Sequence, residues 1–133
     1  MTVESPKGSN QLHILVVDDE FLIRWSIGEA LTAAGHVVTE AENAAAALRA
    51  ASNAVAPDVV MLDYRLPDST DLTLLSQLRA LVPGAAVIFM TAFGTPDVVD
   101  GALKLGVYRV LNKPFEFRDV PSLVLEAYAA RSA

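Results

Sequence analysis

Asp18, Asp19 and Glu20 stand directly after one short apolar run, Asp63 after a second, Thr91 after a third, and Lys113 shortly after a fourth, just before Pro114. Taken singly, each has a bland reading: an acidic triplet favours the first turn of a helix, and Thr is commonplace at strand ends. Taken together, they describe a site. Three carboxylates brought within several ångströms of each other cannot all stay ionised without a counter-charge. A hard divalent cation with oxygen ligands is the usual solution. Mg²⁺ suits better than Ca²⁺, because few protein ligands leave room for waters and a phosphoryl group. Asp63, alone on its strand end, is the best candidate nucleophile toward phosphorus. Thr91 could donate a hydrogen bond to one phosphoryl oxygen, and the Lys113 ammonium could balance another as a compact charge. The chemistry these residues point to is phosphoryl transfer onto an aspartate.

That reading requires elements that bring the four points to one edge. Apolar runs at residues 12–17, 37–41, 59–62, 86–90 and 108–111 are short, Val- and Ile-rich and largely unalternating, as strands buried on both faces of a parallel sheet should be. Helical spacing fills the gaps. The first helix, 21–34, carries an apolar stripe through Leu22, Trp25, Ile27, Ala30 and Leu31 and stops at Gly35. Asn43 caps a second helix to about Asn53, and Ser69 or Thr70 a third that carries Leu74, Leu75, Leu78 and Leu81. Thr95-Pro96 opens a fourth that Gly106 closes, and a fifth runs from about Arg118 to Ala130 with Pro121 in its first turn. Five βα units predict an α/β, doubly wound, flavodoxin-like sheet of five parallel strands in the order 2-1-3-4-5, flanked by five helices. In such a sheet ligands bind beyond the carboxyl ends of the strands, where Asp18, Asp19, Asp63, Thr91 and Lys113 fall. Only the second strand contributes nothing evident.

Composition narrows the function classes. The 133 residues allow one domain, and 53% hydrophobic residues exclude general disorder. A net charge of −6 argues against direct nucleic-acid contact, and the absence of cysteine removes disulfides, thiolate metal sites and Cys nucleophiles. No apolar run approaches the roughly 18 residues that span a bilayer, and no signal-peptide core precedes the first strand. The expected setting is cytoplasmic. Residues 1–11 read as a flexible polar tail and residues 12–133 as the domain. With these assigned no segment remains for an effector, so an isolated fragment or a stand-alone regulator is expected. His13 and His36 lie away from the proposed site and read as structural. Gly101–Gly106 imitates a phosphate-binding loop, but Val107 stands where Lys is required.

Four motifs, ILVVDDE (14–20), VVMLDYRLP (59–67), FMTAFG (89–94) and LNKPF (111–115), occur in order. Asp63 follows Asp19 by 44 positions, Thr91 follows Asp63 by 28, and Lys113 follows Thr91 by 22. Over residues 12–131 the sequence resembles the receiver domain of two-component response regulators. The run Ile23-Arg24-Trp25 with TAFGT (91–95) and LKLG (103–106) is most similar to receivers of the NtrC type. The resemblance implies that Asp63 accepts a phosphoryl group from a histidine of a sensor kinase, in a Mg²⁺-dependent reaction that the receiver itself catalyses without being a conventional enzyme. It implies Mg²⁺ ligation by Asp19, Asp63 and the backbone carbonyl of Arg65, with Asp18 acting mainly through water. Thr91 and Lys113 would contact the phosphoryl group. A downstream effector, or a second copy forming a homodimer, would read the face made by helix 4, strand 5 and helix 5.

Two positions depart from the family pattern. Val110 occupies the position where an aromatic switch residue usually stands, three before the Lys, with Tyr108 two residues earlier. Asp71 stands eight residues after Asp63, where Gly is usual. A degenerate receiver acting as a constitutive interaction module is the main alternative; the intact Asp19, Asp63, Thr91 and Lys113 argue against it. An aspartate-nucleophile phosphatase of the haloacid-dehalogenase class would need D-x-D-x-T where this chain has Asp18-Asp19-Glu20-Phe21. Flavin binding on the same fold is a third.

Overall fold

The computed structural model describes residues 11–53 and 55–131. Strands β1 (His13–Val17), β2 (Val37–Ala41), β3 (Val59–Asp63), β4 (Ala86–Thr91) and β5 (Arg109–Asn112) alternate with helices α1 (Phe21–Ala33), α2 (Ala44–Ala51), α3 (Thr73–Leu81), α4 (Pro96–Lys104) and α5 (Val120–Ala130). Every strand pair is parallel and the order is β2-β1-β3-β4-β5, as the alternation of elements predicts. The expected tail lies outside the described residues except Gln11, whose amide donates to the Gly35 carbonyl at 3.2 Å.

The sheet separates two apolar layers. Leu15, Val17, Val60, Leu62, Val87 and Phe89 face α2, α3 and α4. Ile14, Val16, Val59, Met61, Ile88 and Met90 face α1 and α5. Both faces of β1, β3 and β4 are therefore covered, which explains their unbroken apolar letters. β2 and β5 are the sheet edges and stay partly exposed, so the expectation of burial on both faces fails for them.

Local signals account for most helix ends. Asn43 Oδ1 accepts from Ala46 N at 2.8 Å to open α2, and Thr95 Oγ1 accepts from Val98 N at 3.3 Å to open α4 with Pro96 in its first turn. Gly35, at φ 97°, follows α1, and Gly106, at φ 90°, follows α4; both take the left-handed conformation that ends a helix. Four expectations are corrected. α1 buries Ile27, Gly28 and Leu31, while Leu22 and Trp25 of the expected stripe lie exposed. α2 ends at Ala51, short of Asn53. α3 begins at Thr73 because Leu66 and Ser69 pair across a tight turn, which takes Ser69 out of capping range; Asp71 Oδ1 accepts from Thr73 N at 2.9 Å instead. Phe117–Asp119 forms a 3-10 turn before α5 starts at Val120.

Candidate active site and metal centre

Asp18 leaves β1 fully buried. Its backbone N–H donates to Ala41 O on β2 at 3.1 Å, and its Oδ1 accepts from Glu20 N at 2.9 Å, which turns the chain into α1. Asp63 ends β3 at 6% exposure, beside Met90 in register. Thr91 ends β4 buried, and its Oγ1 accepts from Phe93 N at 3.1 Å, which fixes the hydroxyl at the strand end. Lys113 leaves β5 with its N–H donating to Thr91 O at 2.9 Å, and the Lys113-Pro114 peptide bond is cis.

These residues converge. Carboxylate oxygens of Asp18, Asp19 and Asp63 all lie within 4.8 Å of one another. Lys113 Nζ stands 2.8 Å from Asp18 Oδ2, 3.0 Å from Glu20 Oε1 and 3.2 Å from Asp63 Oδ1. An open cleft of about 240 Å³ joins Asp19, Glu20, Asp63, Arg65, Thr91 and Lys113. Asp19, Asp63, Arg65, Thr91 and Lys113 thus line one cleft, the fully buried Asp18 lies behind it against the Lys113 ammonium, and Glu20 joins Asp18 and Asp63 as a third carboxylate partner of that ammonium.

The electrostatics follow from crowding. Burial, reinforced by the Asp18 charge, pushes the Asp63 carboxyl up to about 6 even though Lys113 opposes the shift. Burial likewise raises Asp18, against the Lys113 ammonium and the Glu20 N–H. Burial alone would lower Lys113, but bonds to Asp18 and Glu20 and the charge of Asp63 outweigh it and push the ammonium up, so it stays charged. One cation for three clustered carboxylates leaves the pocket short of positive charge. Asp18 Oδ2, fully buried, has no well-aligned hydrogen bond and meets only the Lys113 charge. An all-oxygen donor set with such an atom fits a hard divalent cation, so the cluster can hold a metal.

Sequence reasoning missed two residues. Arg24, on α1, donates from Nη1 to the Asp18 carbonyl at 2.7 Å and from Nε to Glu40 Oε1 at 2.9 Å. β2, judged to contribute nothing, supplies Glu40 and the Ala41 carbonyl. The signal available was an Arg inside an otherwise apolar helix start and a Glu inside a strand. Tyr108 does not replace the missing aromatic at Val110. It packs in the layer with α5, whereas Val110 faces the layer of α2, α3 and α4.

The fold and this pocket define a class, a doubly wound α/β domain with an acidic oxygen cluster beyond its central strands. The family model for the response regulator receiver domain matches residues 14–125, and the chain belongs to that family, the receiver domains of two-component response regulators. It is 38% identical over 114 residues to the DNA-binding transcriptional regulator NtrC of Escherichia coli K12, covering 86% of this chain and 24% of that protein. It is 30% identical over 111 residues to sporulation initiation phosphotransferase F of Bacillus subtilis, covering 84% and 89%. A CheY-like receiver domain protein from Methanospirillum hungatei superposes with a TM-score of 0.85 at 26% identity, over 92% of this chain and 97% of that one. NtrX from Brucella abortus, solved with ADP, superposes at 0.82 and 31% identity, over 92% and 28%. The chain therefore spans about a quarter of the NtrC regulators that it matches. Among the described residues no helix is long and apolar enough to cross a membrane.

Proposed function

We propose that Asp63 is the phosphoacceptor of this receiver and that the acidic cluster holds Mg²⁺ through Asp19, Asp63 and the Arg65 carbonyl, with Asp18 reaching the ion through water. The observation that carries the reading is the convergence of three carboxylates within 4.8 Å of one another on an ammonium 3.2 Å from Asp63. An Asp63 carboxylate oxygen attacks phosphorus. The bond from phosphorus to the donor histidine nitrogen breaks, and that nitrogen keeps the electron pair and takes up a proton. Bound Mg²⁺ would supply charge neutralisation for the phosphoryl oxygens in this loose transition state. Lys113 stabilises one phosphoryl oxygen, and Thr91 donates its hydroxyl to another once it turns from Phe93 N. The donor is a sensor histidine kinase, and this receiver takes the phosphoryl group in the cytoplasm. The output is a changed surface at α4, β5 and α5, read by an effector or by a second copy of the chain. Because Val110 is aliphatic, that readout runs without an aromatic ring moving toward Thr91.

Beryllofluoride, an analogue of the phosphoryl group, tests the reading. With Mg²⁺ present it should shift the backbone resonances of Asp63, Thr91 and Lys113 in a heteronuclear spectrum and leave the Asp63→Asn variant unchanged. Equal shifts in the variant would defeat the assignment of Asp63.

A further inference from the structure

We infer that Arg24 is a positioning residue for the Mg²⁺ site, held in place by Glu40; the inference rests on the proposed reading of the acidic cluster. The Arg24 side chain is 11% exposed, unusual for a guanidinium on a small domain. Both of its bonds have a defined direction. Nε donates to Glu40 Oε1 at 2.9 Å, and Nη1 donates to the backbone carbonyl of Asp18 at 2.7 Å. The Phe21 ring lies 5.6 Å from the guanidinium carbon and limits its movement.

The Asp18 carbonyl belongs to the peptide group that leads into Asp19. Arg24 therefore grips the link between two residues of the cluster, while the Asp18 N–H is tied to Ala41 O at 3.1 Å and its Oδ1 to Glu20 N at 2.9 Å. Carboxylates that repel one another would spread if the turn were loose. Arg24 prevents this from the backbone side, leaving the Asp19 carboxylate free to face the ion. Glu40 is the reason that an edge strand matters to a site built on the other four: it orients the planar fork of Arg24, which a Lys cannot reproduce.

Charge and position predict opposite signs. As a nearby positive charge, Arg24 repels Mg²⁺, so its removal would tighten binding. As a positioning residue, its loss weakens binding. Arg24→Lys keeps the charge and loses the two-pronged grip. The test measures Mg²⁺ affinity by calorimetry, the Mg²⁺ dependence of phosphorylation by acetyl phosphate, and the thermal midpoint of each protein without metal. Arg24→Lys is expected to weaken Mg²⁺ binding and to raise the half-saturating Mg²⁺ concentration, each by about tenfold, the size typical of losing an outer-shell partner. Its maximal rate at saturating Mg²⁺ should stay within about twofold of wild type, because Asp63, Thr91 and Lys113 are untouched. Arg24→Ala should weaken binding in the same direction. An Arg24→Lys variant with unchanged or tighter Mg²⁺ binding, or one that loses maximal rate alone, overturns the inference. A wild-type protein that binds Mg²⁺ and is phosphorylated isolates that failure to Arg24; one that does neither overturns the reading of the cluster as well.

Discussion

Asp63→Asn should make the metal-free protein more stable at pH 7, although it removes the proposed acceptor. The wild-type carboxyl is pushed up to about 6 from an ordinary 3.8, so at neutral pH it is ionised in a pocket that disfavours the charge. A shift of about two units corresponds to about 3 kcal/mol of penalty at 1.36 kcal/mol per unit. Asn keeps the shape and the acceptor for Lys113 without that charge. For a chain of 133 residues the unfolding entropy is on the order of 0.28 kcal/mol/K, so the gain amounts to a midpoint about 10 °C higher. The pH dependence has a definite sign. Because the folded-state value is raised, the stability associated with protonated Asp63 is fully present below 3.8 and is lost as pH rises through about 6. The advantage of the variant is therefore absent near pH 4, grows across pH 4–6 and levels off above. Urea unfolding of both proteins in EDTA at pH 4, 5, 6 and 7 measures it, and saturating Mg²⁺ should narrow the gap by stabilising only the wild type. A variant that is less stable at pH 7, or a gain that does not change with pH, refutes the electrostatic reasoning.

Three further outcomes are expected. Lys113→Ala removes the cation that competes for Asp18 and Asp63, so calorimetry should find Mg²⁺ bound more tightly while phosphorylation by acetyl phosphate falls by about 10²-fold or more. The His36 imidazole is buried and accepts from Leu12 N through Nδ1 at 3.0 Å, and burial lowers its pKa. Its proton resonances should titrate with a midpoint below 6.5, and His36 contributes stability that is present above 6.5 and lost as pH falls toward the folded-state value; a midpoint at or above 6.5 contradicts this. Gly35→Ala, at φ 97° with open space around it, should cost about 1 kcal/mol in urea unfolding from backbone strain alone.

The sheet order and the residues of the pocket were legible because both are written locally. Strands covered on two faces read as unbroken apolar letters, and the carboxylates, the hydroxyl and the ammonium follow the strands directly. What escaped depends on how elements are rotated against each other. Leu22 and Trp25 look like core in a helical projection, yet α1 turns its Gly28 face to β2, where a Cβ would come within 3.5 Å of Glu40 Oε2. That rotation exposes the Trp and brings Arg24 under the acidic turn. The start of α3 escaped for a different reason. Ser69 and Thr70 are good caps by residue type, but the pairing of Leu66 with Ser69 claims that stretch; Leu72 takes the cap position without a side-chain bond, and Asp71 just before it accepts from Thr73 N. The residue that departs from the family pattern thus has a local function in this chain. Likewise, Asp68 in the same loop accepts from Ala44 N at 2.7 Å and Ala45 N at 3.1 Å, tying the segment after Asp63 to α2 across a distance in sequence that no local pattern reveals.

The most direct measurement is the chemical identity of the phosphorylated residue. Protein treated with acetyl phosphate and Mg²⁺, then reduced with borohydride, should yield homoserine at position 63 in peptide mass spectra, with no such product in EDTA or from Asp63→Asn. Homoserine at another aspartate, or an Asp63→Asn variant labelled as fully as wild type, would contradict the assignment of Asp63 as the acceptor.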